Sequence, residues 1–230
     1  MTDRPLALIT GASRGIGRAI AEHLAATHDL LLGGRDENAL ASLAAGLPSA
    51  RPWPAELTDE HALAAAVKDI DRLDVLVHSA GMSRLGALSE MTAADWRASY
   101  ELNVVAVAEL TRLLLPALRA AEGHVVLINS GSGLKANPRW GTYAASKFAL
   151  RAFADVLRGE EEQNGLRVTS VHPGRTATDM QRAVREFEGG DYVPEQYMRP
   201  ESVAEMVRTA VELPRDAHVH EIVMRQQNRA

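Results

Sequence analysis

Eight residues near the start of the chain, Thr10-Gly11-Ala12-Ser13-Arg14-Gly15-Ile16-Gly17, restrict its possible folds more than any other stretch. An apolar run, Leu6 to Ile9, precedes them, and Arg18-Ala19-Ile20-Ala21-Glu22-His23-Leu24, with helical spacing, follows. Strand, glycine turn and helix in that order form a cradle for a dinucleotide pyrophosphate. Backbone N–H groups at a helix start face the anion, and the helix dipole adds partial positive charge. Glycines turn the chain sharply and let phosphate approach without meeting a Cβ. The spacing is G-x-x-x-G-x-G rather than the commoner G-x-G-x-x-G. Gly11, Ser13, Arg14, Gly15, Ile16 and Gly17 are the expected cofactor contacts of this stretch.

At 230 residues, with no linker, repeat or shift in composition, the chain reads as one α/β domain over 1–230. The net charge is −5 and no basic run occurs, which argues against a nucleic-acid partner. There is no cysteine, so disulfide and thiolate chemistry are excluded. Glu109, Arg112 and Arg119 interrupt the best candidate for a membrane span. Met1-Thr2-Asp3-Arg4-Pro5 runs directly into the first strand, so no signal peptide is expected, and the plain expectation is a cytoplasmic protein.

Strand and helix patterns alternate along the chain. Asp29 to Arg35 reads as a buried strand whose end would meet the adenosine ribose. A carboxylate there selects NAD; Gly34 and Arg35 instead suit a 2′-phosphate, with Arg14 as a second ligand, so NADP(H) is expected over NAD(H). Asp36 is a natural N-cap for a helix over Glu37 to Ala45. Pro52 and Pro54 mark the strand around Arg51 to Ala55 as irregular or at an edge. Thr58 or Asp59 then caps a helix running to about Asp71. Leu73 to Val77 is a strand closed by His78-Ser79-Ala80-Gly81. A helical stretch from Ala93 through Ala121 has its natural break near Pro116. Val125 to Asn129 is a strand, Tyr143 opens a helix to about Glu162, and Arg167 to Val171 is a strand ending in His172-Pro173-Gly174. The stretch Arg175 to Arg199 is less regular. A helix from Pro200 to Leu213 and a strand from His218 to Met224 finish the chain. The pattern predicts a doubly wound parallel sheet of about seven strands with helices on both faces.

Tyr143 and Lys147 are four apart and share a helix face. Free tyrosine, with a pKa near ~10, is a poor base at neutral pH, and a nearby ammonium lowers that value. Such a pair exchanges a proton with an alcohol or carbonyl oxygen, and the Ser130 hydroxyl can bond the same oxygen.

Taken together, Thr10 to Gly17, His78-Ser79-Ala80-Gly81, Leu102-Asn103-Val104, Ser130, Tyr143-Ala144-Ala145-Ser146-Lys147 and Pro173-Gly174 resemble the short-chain dehydrogenase/reductase superfamily, over nearly the whole chain and in its motif order. The resemblance implies a single-domain Rossmann fold and hydride transfer between NADP(H) and a small alcohol/carbonyl pair without a metal. It implies Tyr143 as general acid/base and Lys147 as the residue that lowers the tyrosine pKa and binds the nicotinamide ribose. Ser130 fits the substrate-orienting serine better than Ser132, because the family places it about thirteen residues before the tyrosine. Asn103 corresponds to the asparagine of the proton relay. Ser79, Ala80 and Gly81 correspond to the adenosine side, and Pro173 and Gly174 to the nicotinamide side. Thr176 and Thr178 fit contacts to the carboxamide or phosphates. The adenine-contacting aspartate of the family becomes Glu56 here, beside Leu57, and His78-Ser79 replaces its Asn-Asn. The family also implies a homodimer or homotetramer through the long helices after Ala93 and Tyr143. A non-catalytic NADP-sensing protein on the same fold is the competing reading.

Other residues carry two readings. His172 either touches cofactor or substrate or simply ends a strand. His218 and His220 alternate like a metal pair but lack a third ligand in the sequence nearby. Glu160-Glu161-Glu162 reads as a solvated helix end, and Trp140 as a loop anchor or a wall of the substrate pocket. The stretch of about 175–200, with Met180 and Met198, would be a substrate lid whose apolar residues suit a partly hydrophobic substrate.

Overall fold

Seven parallel strands, β1 (Leu6–Ile9), β2 (Asp29–Gly34), β3 (Ala50–Pro54), β4 (Val75–His78), β5 (His124–Ile128), β6 (Arg167–His172) and β7 (Glu221–Val223), form one sheet in the order β3-β2-β1-β4-β5-β6-β7. The computed structural model describes residues 4–227; Met1–Asp3, which belong to the N-terminal segment discussed above, and 228–230 lie outside the described residues. Strand order reverses between β1 and β4, which opens a crevice at their carboxyl ends where such sheets bind ligands.

The central strands β1, β4 and β5 and the middle of β2 are apolar because both of their faces are covered. Ala7, Ile9, Leu30, Leu32, Val75 and Val77 pack under α1 (Gly15–Leu24), α2 (Glu37–Ala45) and α8 (Pro200–Glu212). The alternate residues Leu8, Leu31, Leu76 and Val125 pack against α3 (Glu60–Val67), α5 (Ala106–Ala121) and α6 (Gly141–Glu161). The remaining helices are α4 (Ala93–Tyr100) and α7 (Asp179–Glu188). β3, with Pro52 and Pro54, pairs only with β2 and is an edge strand, as its prolines require. Asp36 and Asp59 cap α2 and α3 through Ala39 N and Ala62 N, each at 3.0 Å.

Several boundaries differ from the sequence reading. The helix expected to run to Asp71 stops at Val67; carboxylates such as Asp69 and Asp71 are unfavourable at a helix C-terminus. Pro116 does not break α5, because Pro116 and Arg112, whose carbonyl loses its N–H partner, both face water. The long helical stretch is interrupted instead at Glu101–Val105, a single π-helical turn between α4 and α5. β4 begins at Val75 rather than Leu73 and includes His78. β7 begins only at Glu221, because the His218 ring occupies the Val168 N–H at 2.9 Å, where a longer ladder would start. Within the irregular stretch after β6, α7 forms on a Thr178 cap. Glu161 is not solvated: it is 3 % exposed, takes a two-point contact from Arg119 at 2.8 and 2.6 Å, and accepts from Asn164 Nδ2 at 2.8 Å. Those bonds hold its carboxyl below the ordinary carboxylate range.

Candidate active site

The glycine turn is locked onto the end of β4. Thr10 Oγ1 accepts from Ser79 N at 3.0 Å and Ala80 N at 3.1 Å. Gly11 has φ +67°, and a Cβ there would stand 2.9 Å from Ala80 Cα. A Cβ on Gly17 would stand 2.3 Å from the Gly11 carbonyl oxygen. These two glycines therefore close the turn on the protein itself, a stronger demand than room for a phosphate. Gly15, at φ +56°, faces Thr178 Cγ2, so the cap of α7 lies against the turn. Where α2, α3, α4 and α7 begin on a capping side chain, α1 begins on Arg14 with no side-chain cap. α6 and α8 also begin without one, so the open N–H groups of α1 fit an anion only together with the glycine turn that leads into them. Ser13 and Ile16 are half-buried, whereas Arg14 is exposed and lies 3.5 Å from Asp179 Oδ2.

Farther out, Arg35 is exposed beyond the end of β2, with Nη1 3.7 Å from Glu56 Oε2. Glu56 also accepts from Thr58 Oγ1 at 2.9 Å, and Leu57 packs on the core beneath.

Ser130 follows β5, and Tyr143 lies in the first turn of α6, 7 % exposed. Burial pushes the Tyr143 phenol up, and the adjacent Ser130 hydroxyl partly offsets this. That direction is opposite to the lowering expected from Lys147. The ammonium stands 5.9 Å from the Tyr143 ring centre and donates to the Ile128 carbonyl at 2.9 Å. Burial brings Lys147 itself down to about 8. The π turn carries Asn103, whose Oδ1 accepts from Met82 N and whose Nδ2 donates to Met82 O, both at 2.9 Å, and to Ser146 Oγ at 3.0 Å. The Asn103 amide thus braces the loop after β4 against α6 rather than contacting Lys147.

His78 is buried and neutral, held down to about 3 by burial. Thr111 donates to Val107 O, so the hydroxyl receives the His78 Nε2–H at 2.9 Å, and His78 ties β4 to α5. His172 resolves as a strand-end residue: fully buried, it donates from Nδ1 to the Ser130 carbonyl at 3.1 Å. Burial lowers its pKa.

A cleft of about 590 Å³ lies at the carboxyl ends of β5 and β6. Ile16, Ser130, Tyr143, Pro173, Gly174 and Thr176 all line it, as does Thr178, the α7 cap. Trp140 is a wall, its ring centre 5.9 Å from that of Tyr143. From α7, Met180, Gln181 and Val184 cover one side. The sequence reading missed Lys135, Gln181, Glu188 and Arg225, which also line the cleft. Arg225 was accessible in principle, since it lies two residues past the end of β7, where such sheets place ligand contacts. Among the described residues, no cluster of three or more His, Asp or Glu side chains is placed to hold a metal, and no helix is long and apolar enough to cross a membrane.

The family described as short chain dehydrogenase matches residues 5–189. The chain belongs to that family. As a short-chain dehydrogenase it is an oxidoreductase. It is 35 % identical over 217 residues to an uncharacterised short-chain type dehydrogenase/reductase of Sinorhizobium fredii, covering 91 % of this chain and 86 % of that one. It is 33 % identical over 236 residues to glycine betaine reductase ATRR of Emericella nidulans, covering 95 % of this chain but only 18 % of that longer protein. Among solved structures, an alcohol dehydrogenase from Thermococcus sibiricus, complexed with 5-hydroxy-NADP, aligns with a TM-score of 0.88 at 26 % identity, covering 99 % of this chain and all of that one.

Proposed function

We propose that this short-chain dehydrogenase interconverts an alcohol and a ketone or aldehyde, with NADP(H) as hydride carrier and Tyr143 as general acid/base. The observation that carries the reading is the placement of Tyr143 beside Ser130 in the cleft at the sheet's carboxyl edge, with Lys147 buried one turn along the same helix.

The residues present fit the cofactor. The uncapped start of α1 over Gly15 to Gly17 would receive the pyrophosphate, with Ser13, Arg14 and Ile16 around it. Gly11 brings Ser79, Ala80 and Gly81 close for the adenosine side. Arg35 is placed for a 2′-phosphate once it leaves Glu56, which supports NADP(H) over NAD(H). Pro173, Gly174, Thr176 and Thr178, which line the cleft, would take the nicotinamide side, with Lys147 as the ribose contact. When bound, the cofactor supplies or accepts the hydride at the carbonyl carbon.

The protein's own part is proton chemistry and positioning. Burial keeps the Tyr143 phenol protonated at neutral pH, which suits it to donate its proton to a carbonyl oxygen during reduction. Ser130 bonds the same oxygen and polarises the carbonyl. Lys147, brought down to about 8, is poised to give and regain a proton near neutral pH and so to replenish Tyr143. Asn103 holds Ser146, one residue from Lys147, in place. Residues of about 175–200 act as the lid. The reading includes a homodimer or homotetramer through α5 and α6, near which Val105, Phe148 and Val156 are exposed.

Tyr143→Phe tests the proposal. Turnover of carbonyl substrates is expected to fall by about 10²–10⁴-fold, while NADPH affinity, read by fluorescence titration, changes little. Retained turnover in that variant refutes the mechanism.

A further inference from the structure

The chain carries a net charge of −5, yet the cleft has a cationic rim. Glu188 is the one carboxylate among its described lining residues, and it is already engaged. Arg175 makes a two-point contact to it, and Arg185 Nη1 adds a bond at 2.7 Å. Lys135 and Arg225 also line the cleft, and neither has a carboxylate partner among the described residues.

Arg225 is held in place by backbone. Its Nη1 donates to Met224 O at 2.8 Å and lies 3.4 Å from His172 O. The guanidinium rests against Gly131, the residue after Ser130. A Cβ on Gly131 would meet Arg225 Nη1 at 3.1 Å and Cζ at 3.3 Å, so the glycine makes the room that this guanidinium occupies. Arg225 Nε and Nη2 have no acceptor among the described residues. Gln181 also borders the cleft, but its Nε2 is shut away from solvent, so the two cations are the donors open to a ligand.

These donors are separate from those suited to the cofactor phosphates. Arg35 is beyond β2 and the α1 start follows β1, on the other half of the sheet, whereas Arg225 follows β7. Trp140, Met180 and Val184 provide apolar wall in the same cleft.

We propose that this cleft contains an anion subsite, with Arg225 and Lys135 as its cations. The subsite selects a carbonyl substrate that carries a carboxylate or phosphate attached through an apolar segment. The inference rests on the proposed alcohol–carbonyl activity for the carbonyl part of the substrate and not for the anion part. Arg225 supplies a planar fork matched to a carboxylate or phosphate, and Lys135 adds a mobile charge at the rim.

The test has a binding arm and a turnover arm, both on NADP(H)-loaded protein. In the binding arm, para-acetylbenzoate, para-acetylphenyl phosphate and uncharged para-acetylbenzamide are titrated by calorimetry against wild type, Arg225→Gln and Lys135→Gln. Wild type is expected to bind at least one anion about 10–100-fold more tightly than the amide. Arg225→Gln should erase most of that preference while leaving amide and NADPH affinity within about threefold, and Lys135→Gln should erase less of it. The carboxylate and phosphate arms identify which anion is preferred. Equal binding of acid, phosphate and amide by wild type overturns the subsite, as does an Arg225→Gln variant that keeps the preference. In the turnover arm, the same preference should appear in kcat/KM. Anion-selective binding with no reduction of any of the three ketones would count against the proposed alcohol–carbonyl activity and leave the subsite standing.

Discussion

Replacing Thr10 with valine tests whether the glycine turn is held by one hydroxyl. Thr10 is 1 % exposed, and its Oγ1 takes two backbone N–H bonds, from Ser79 and Ala80, while lying 3.3 Å from the Val77 carbonyl. Valine keeps the shape and removes all three contacts. An orphaned buried donor costs about 1–3 kcal/mol. Ser79 and Ala80 are only half-buried, so water partly relieves the loss and the lower part of the range applies to each. The expected destabilisation is about 2–4 kcal/mol, which for a chain of this size lowers Tm by roughly 5–15 °C. Thr10→Ser is the control, because it keeps the hydroxyl and loses one methyl, for about 1 kcal/mol. Urea unfolding of both variants, followed by circular dichroism, separates the two effects, provided m is unchanged. NADPH affinity should fall in the valine variant, because Ser79 to Gly81 lose their tether to the turn. A valine variant within about 0.5 kcal/mol of the serine variant would show that the hydroxyl does not hold the turn.

Two further predictions follow from the charges. Arg35→Ala should weaken NADPH by about tenfold or more and NADH by far less, in parallel fluorescence titrations; equal losses would remove Arg35 from 2′-phosphate recognition. His78, held down to about 3 by burial, is neutral when folded but takes up a proton near its ordinary value of 6.5 when unfolded. The unfolded state binds more protons between these limits, so stability from this residue is complete above about pH 6.5 and falls as pH drops toward 3. The full loss is about 5 kcal/mol. His78→Asn should flatten the acid limb of urea-unfolding stability between pH 6.5 and 4, whatever it does at pH 7. An unchanged slope would mean that His78 is not buried as a neutral ring.

The parts legible in the sequence were those set by neighbours along the chain. Asp36 and Asp59 bond N–H groups three residues on, so their capping chemistry can be read locally. The alternate-face packing of Leu8 and Ile9 follows from strand geometry. The family motifs set Ser130, Tyr143 and Lys147 in order along the sequence, and folding brings Ser130 and Tyr143 into one cleft. What remained hidden depends on distant contacts. Glu161 looked solvated because its partner, Arg119, is 42 residues away. The π turn leaves no change in the apolar spacing that announces it, whereas Pro116 announces a break that exposure makes unnecessary. Arg225 gains its place only when β7 brings it beside Gly131, 94 residues earlier in the chain. The direction of the Tyr143 shift depended on burial, which the Tyr-Lys spacing does not encode.

The π turn at Glu101–Val105 also governs what lengths this part of the chain tolerates. Angular phase along a helix is cumulative, about 100° for each residue. A wide turn takes up one extra residue. α4 meets α6 while α5, continuous with it, lies on the sheet, and Asn103 in the wide turn points to both Met82 and Ser146. Removing one residue from the turn would restore ordinary helical winding with α4 and α5 in nearly the same phase, because the wide turn spreads one more residue over about the same rotation. The cost would fall on Asn103, whose amide reaches both Met82 and Ser146 from the wide turn. Substitutions along this rod can be absorbed by repacking, whereas loss of the extra residue would remove the brace between the loop after β4 and α6.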